Sequence, residues 1–233
     1  MIARPAAILL LALLAACARD RPEPRPAQPE SSLGPAPTEP VAPIVTTAPP
    51  GRYTIDRSHA NLVFRIDHLG FSDYVGSFPG LEAELQFDPS NPSAMSVNGA
   101  VDLTTLQIPN PPAGFAAELL SAPWLGAGDN PKATFRSTRV ELLDQDSARV
   151  TGDLQFRGVV APFTLEVDFR GGYPGMAPYD PHARIGFSAR GVLKRSAHGM
   201  NIGLPPEGST MGVGDDVRVE IDAEFTGPPL AAE

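Results

Sequence analysis

With 233 residues, 42% of them hydrophobic, and 27 prolines, the chain can bury one core of respectable size once a proline-dense leader is set aside. The net charge is −9, and the residues before Gly51 carry four charges of each sign, so the whole acidic excess falls after them. A surface of that sign argues against nucleic acid as a partner and against a polybasic hold on anionic lipid.

Met1 to Ala16 reads as an export signal. Arg4 gives a positive start, and Ala6 to Ala16 is an apolar run too short to cross a bilayer, which takes about 20 residues. Leu14-Ala15-Ala16-Cys17 then resembles the lipobox of bacterial lipoproteins, in which the cysteine is lipidated and begins the mature chain. Cys17 is the only cysteine, so no intramolecular disulfide and no thiolate metal cage can form. An ordinary signal peptide with an incidental cysteine is the other reading. Ala18 follows in place of an aspartate, which by the usual lipoprotein pattern favours the outer membrane. Residues 17–50 make up a lipidated cysteine and a disordered proline-rich linker, too poor in apolar side chains to fold alone and extended enough to serve as a stalk.

From Gly51 the pattern is strand after strand. Leu62, Phe64, Ile66 and His68 share one parity, with Asn61, Arg65 and Asp67 on the other, the mark of a half-buried strand. Gly70, Ser72 and Asp73 turn the chain toward Gly76 and Phe78. Leu81 to Phe87 and Met95 to Leu103 repeat the alternation. Phe115, Leu119 and Leu120 lie at helical spacing in a short segment that ends near Ala122-Pro123. Strands follow at Ala133 to Ser137, Val150 to Phe156, Phe163 to Phe169, Ile185 to Leu193 and Val217 to Phe225, with a tight link at Gly158 to Pro162. About eight strands result. Each has one apolar and one charged face, which fits an antiparallel sheet closed into a barrel, its exposed edges removed.

A barrel of that size is filled by its own side chains or holds one slender ligand. Ala83, Gly99, Ala148, Gly152, Ala189, Gly191 and Ala223 fall on the inward parity and leave volume, which favours a hollow interior; alternatively the glycines only let coiled strands bend.

Seven motifs stand in order: Tyr53-Thr54-Ile55-Asp56 with His59, Phe64-x-Ile66-x-His68-x-Gly70, Gly76-x-Phe78, Pro131 with Phe135-x-Ser137, Thr151-Gly152-x-Leu154 with Arg157-Gly158-Val159, Lys194-Arg195-Ser196 with Gly199-Met200, and Gly212 to Val217. Together they resemble the YceI-like, polyisoprenoid-binding periplasmic proteins. The likeness spans Tyr53 to about Thr226. It implies an all-β fold, an eight-stranded antiparallel lipocalin-like barrel with a short helix, enclosing a polyprenyl compound or a quinone tail. Ala60 stands where the family usually has serine, and Ala197-His198 where an acidic residue and an aromatic are common, departures that bear on the head group.

Domain boundaries follow: signal peptide 1–16, linker 17–50, barrel 51–227 and a disordered tail 228–233. The expected lining is Phe64, Ile66, Phe78, Leu85, Phe87, Phe135, Leu154, Phe156, Phe163, Leu165, Phe187 and Ala189, with Phe115, Leu119 and Trp124 near a mouth or lid. His68 could bond a head group, or be a buried histidine satisfied by backbone. His59 beside Asp56 reads as structural, and Lys194-Arg195 as either a phosphate contact or solvated charge. Binding a hydrocarbon requires only removal of apolar surface from water, about 0.8 kcal/mol per CH₂, offset in part by the cost of ordering the tail. No cofactor, metal or catalytic residue is expected beyond the lipid itself, and a homodimer stays open. The sequence lacks His-Glu-x-x-His and Gly-x-Ser-x-Gly. The competing classes are an envelope scaffold or stress protein with a filled barrel and a histidine-based enzyme.

Overall fold

The computed structural model describes residues 44–230. The export signal, Cys17 and most of the linker lie outside the described residues, as do the last three positions of the tail.

The strands are β1 (Gly51–His68), β2 (Ser72–Phe78), β3 (Leu81–Phe87), β4 (Ser96–Asp102), β5 (Lys132–Leu142), β6 (Ser147–Phe156), β7 (Val159–Tyr173), β8 (His182–Lys194) and β9 (Val213–Pro229), with one α-helix, α1 (Phe115–Leu120). Every pairing is antiparallel, and β1 bonds to β9, which closes the sheet. Nine segments make eight staves. β2 pairs with the second half of β1 (Leu62↔Phe78 to His68↔Ser72) and β3 with its start (Gly51↔Phe87 to Thr54↔Glu84), so the two are one stave interrupted at Pro79-Gly80. The barrel is the all-β, eight-stranded antiparallel one expected.

Differences in detail have local causes. The link between β6 and β7 is only Arg157-Gly158, both at positive φ (53° and 76°), the twist that suits a two-residue hairpin. Pro162 therefore lies within β7, opposite Asp153. The linker does not stay free up to Gly51: Ala48 is 3% exposed, Thr46 Oγ1 donates to the Gly172 carbonyl at 3.4 Å, and Tyr53 Oη donates to the Pro49 carbonyl at 2.7 Å. Residues 44–50 thus form a strap across one end of the barrel. At the other terminus β9 runs to Pro229, and Leu230 N–H donates to the Pro181 carbonyl, so the ordered chain passes the expected boundary at 227.

Each end of the barrel is built differently. At the strap end Tyr53, Phe87, Ile185 and Phe225 form a packed floor, with Phe87 near-stacked on Phe169 at 6.0 Å. At the opposite end, residues 103–131 and 195–212 fold over the rim. Arg157 ties the two together, donating to the carbonyls of Ala122 and Trp124 on one side and of His198 on the other.

Candidate functional site

The alternating strands place one row of apolar side chains from every stave toward the axis, and together those rows do not fill the space. A cavity of about 570 Å³ remains, within the ~300–1,000 Å³ usual for small-molecule sites. The hollow interior favoured by the small inward residues is what the chain builds, not the filled barrel of the competing reading. Every residue expected to line the lumen does so except Phe87: Phe64, Ile66, His68, Phe78, Leu85, Phe115, Leu119, Trp124, Phe135, Leu154, Phe156, Phe163, Leu165, Phe187 and Ala189 all border the cavity. Phe87 is 2% exposed and packs into the floor between Tyr53 and Phe169, because its stave ends there.

The inward glycines and alanines divide by role. Ala83, Gly99, Ala148, Ala189 and Ala223 border the cavity and leave it volume. Gly152 and Gly191 do not. A Cβ on Gly152 would come within 2.5 Å of the Phe135 ring, and one on Gly191 within 2.8 Å of the Phe163 ring. Each phenylalanine lies over the glycine of the next strand, and the two rings meet edge to face at 6.3 Å. These glycines therefore seat aromatic rings against the wall, which keeps the rings out of the lumen.

Polar groups gather at the capped end. His68 is exposed at the end of β1, where no backbone partner satisfies its ring among the described hydrogen bonds, so it is not the buried histidine considered above. Its ring lies 6.4 Å from that of Tyr74, which meets Phe115 of α1 edge to face at 5.8 Å. Burial pushes the Tyr74 hydroxyl pKa up. Tyr74 shares parity with Gly76 and Phe78, a signal that could have found it. Leu142 and Val140 also border the cavity, yet a bulge between Ser137 and Arg139 shifts their parity, so simple alternation from Phe135 misses them.

Lys194 and Arg195 separate. Lys194 is exposed and pairs with Asp216 at 2.6 Å. Arg195 is 1% exposed, and neither solvated nor free for a phosphate: its Nε donates to the Gly214 carbonyl (2.7 Å), Nη1 to Met200 and Ile202 (2.9 and 2.8 Å), and Nη2 to Val213 (2.8 Å). Burial pulls its pKa down. His198, 2% exposed, packs on Phe156 at 5.4 Å between ring centroids. Its Nδ1 lies 3.3 Å from the Phe156 carbonyl, so this departure from the family pattern sits in the cap. His59 is structural: its Nδ1 lies 3.1 Å from Asp56, inside a bulge of β1 far from the cap. No buried side-chain nitrogen or oxygen among the described residues lacks a partner, so the lumen makes no unmet polar demand.

Fold and cavity define a class, closed antiparallel barrels with a hollow, apolar lumen. The sequence matches the YceI-like domain over residues 53–225, and the chain belongs to that family. It is 36% identical over 156 residues to a UPF0312 protein of Pseudomonas paraeruginosa and 37% identical to protein YceI of Escherichia coli, each match covering 66% of this chain and 78% of the relative. The YceI protein of Campylobacter jejuni has the same fold (TM-score 0.58, 26% identity, 69% of this chain and 89% of that one). A polyisoprenoid binding domain from Saccharophagus degradans shares the fold alone (TM-score 0.55, 11% identity, 76% and 98% covered).

Proposed function

We propose that this protein holds an isoprenoid or other long-chain apolar lipid, such as a polyprenyl compound or a quinone tail, in the barrel lumen, for carriage, storage or sensing in the bacterial envelope. The observation that carries the reading is the lumen: about 570 Å³ walled by aliphatic and aromatic side chains. The family and the polyisoprenoid binding domain among its structural neighbours support it. A methylene is similar in bulk to a water molecule, roughly 30 Å³ in the liquid, so the cavity suits about twenty carbons. Twenty methylenes would contribute about 16 kcal/mol gross at 0.8 kcal/mol each, and ordering a flexible tail cancels a large part. Affinity of this kind requires no covalent step, so the protein acts by binding rather than catalysis. His68 and Tyr74 stand where a head group would emerge, and either can hydrogen-bond a quinone carbonyl or an alcohol.

Localisation belongs to the same reading: Cys17 is lipidated and the linker tethers the barrel to a membrane facing the periplasm, the outer membrane by preference. One measurement tests both parts. Intact mass spectrometry of protein extracted from membranes is expected to release an isoprenoid and to show acyl mass that Cys17→Ser removes. An empty extract, together with no uptake of a polyprenyl probe, would refute the binding.

A further inference from the structure

The cavity does not stop at the floor. Tyr53, Phe87, Ile185 and Phe225 close the barrel beneath β1, β3, β8 and β9, and Phe169 of β7 with Met95 and Val97 packs against them. Beside this floor the cavity wall continues along β5 and β6, through Val140, Leu142 and Ala148, to Asp146 in an exposed turn. The hydrogen-bond ladder gives out in the same place. β4 pairs with β5 only from Asn98↔Arg136 to Asp102↔Lys132, and beyond it β5 has ladder partners on its β6 side alone. Val97 N–H donates to Ser137 Oγ at 2.9 Å, a side-chain bond where the backbone ladder has ended. The short 3₁₀ turn Pro92–Ala94 lies against β5 here in place of a strand, joined by no backbone ladder, with Pro92 buried and Pro92 and Met95 bordering the cavity.

We propose that this gap between the lower half of β5 and residues 92–96 is a second opening of the lumen, through which the distal end of a bound tail leaves the barrel. The inference rests on the lipid-binding reading above. A sealed lumen of this volume accepts about twenty carbons and excludes longer tails. A gap rimmed by Val140, Leu142 and Met95 removes that limit, because a tail passing it meets apolar side chains as far as the surface. One-sided stretches occur elsewhere too, at β2, which pairs with β1 and bridges to Gln107, and at residues 159–165 of β7, which pair with β6 alone, but both lie at the capped end. The head group then stays with His68 and Tyr74 while the tail end emerges at the opposite end of the molecule.

The test uses the full chain as Cys17→Ser, stripped of lipid, with a reporter cysteine placed by Leu142→Cys. Two probes are compared at saturation: farnesol, short enough to be enclosed whole, and solanesol, a much longer polyprenol. Solanesol is expected to slow maleimide labelling of the reporter about tenfold and farnesol to leave it nearly unchanged; Ala148→Trp, which narrows the same passage, is expected to weaken solanesol about tenfold and spare farnesol. Solanesol bound at full stoichiometry with labelling unslowed overturns the second opening while leaving the lumen site standing. Failure of both alcohols to bind overturns the lipid-binding reading itself.

Discussion

Arg195 is almost completely buried, and each of its guanidinium nitrogens reaches a main-chain carbonyl between Met200 and Gly214. A buried charge is tolerable only when its donors are met, and here the cation in turn fixes a loop that has no strand or helix of its own. Trp124 adds its ring face 6.0 Å from the guanidinium carbon, joining the two capping segments through one side chain. Removing the cation leaves those carbonyls without their donor. Arg195→Met is expected to cost about 3 kcal/mol, read as a lower urea midpoint with the slope preserved. Arg195→Lys should recover little of the loss, since one ammonium cannot span carbonyls that a planar fork reaches on separate sides.

At the scale of the element, β1 is the strand with the least regular course. Ile55 pairs with Phe225 and Ala60 with Ala223, so residues 56–59 form a bulge. Asp56 holds it: Oδ1 accepts from Ser58 Oγ (2.6 Å) and N–H (3.0 Å), and Oδ2 accepts from Arg184 (2.6 Å) and lies 3.1 Å from His59 Nδ1. The Ser58 hydroxyl, then Arg184 and His59, keep the Asp56 carboxyl below the usual carboxylate range. A carboxyl lowered on folding adds stability that is complete above its unfolded value, near 3.9, and is lost as pH falls toward its folded value. Asp56→Asn is accordingly expected to be less stable than the parent by about 1 kcal/mol at neutral pH, allowing for partial exposure, with the gap closing at the acid end. Urea midpoints at both pH values check this; a gap that does not narrow would mean that the charge is not what holds the bulge.

The elements also mark how far the sequence could be read. Strand alternation is a direct print of the two faces of a barrel wall, so Leu62 to His68 and Val150 to Phe156 were legible as written. Bulges at Asp56, Thr138 and Arg170 change parity without changing composition, which is why Val140 and Leu142 were missed as lining. Gly152 and Gly191 looked like empty volume because what fills it, a ring from the neighbouring strand, depends on register between strands. The strap at 44–50 is illegible for a similar reason: Ala48 is buried in one cluster with Tyr53, Ala183 and Ile185, and two of those three are distant in the chain.

For the whole molecule, the consequence of a closed wall around unfilled apolar space is that stability and occupancy are coupled. A ligand that binds only the folded barrel raises its stability by RT ln(1 + [L]/Kd), about 2.7 kcal/mol when the free ligand stands at a hundred times Kd. For a domain of this size that corresponds to a rise in melting temperature on the order of 5–10 °C. Ala189 is well placed to separate the two effects. It borders the cavity on β8, between Val167 of β7 and Ile221 of β9, so a larger side chain there projects into the lumen. Ala189→Phe is expected to leave the lipid-free melting temperature within a few degrees of the parent, since the new ring enters empty space, and to abolish the shift produced by a polyprenyl alcohol. Differential scanning calorimetry of both proteins, with and without the alcohol, reads the two numbers together. A shift that survives the substitution undiminished would place the bound tail outside the barrel, whatever the volume within it.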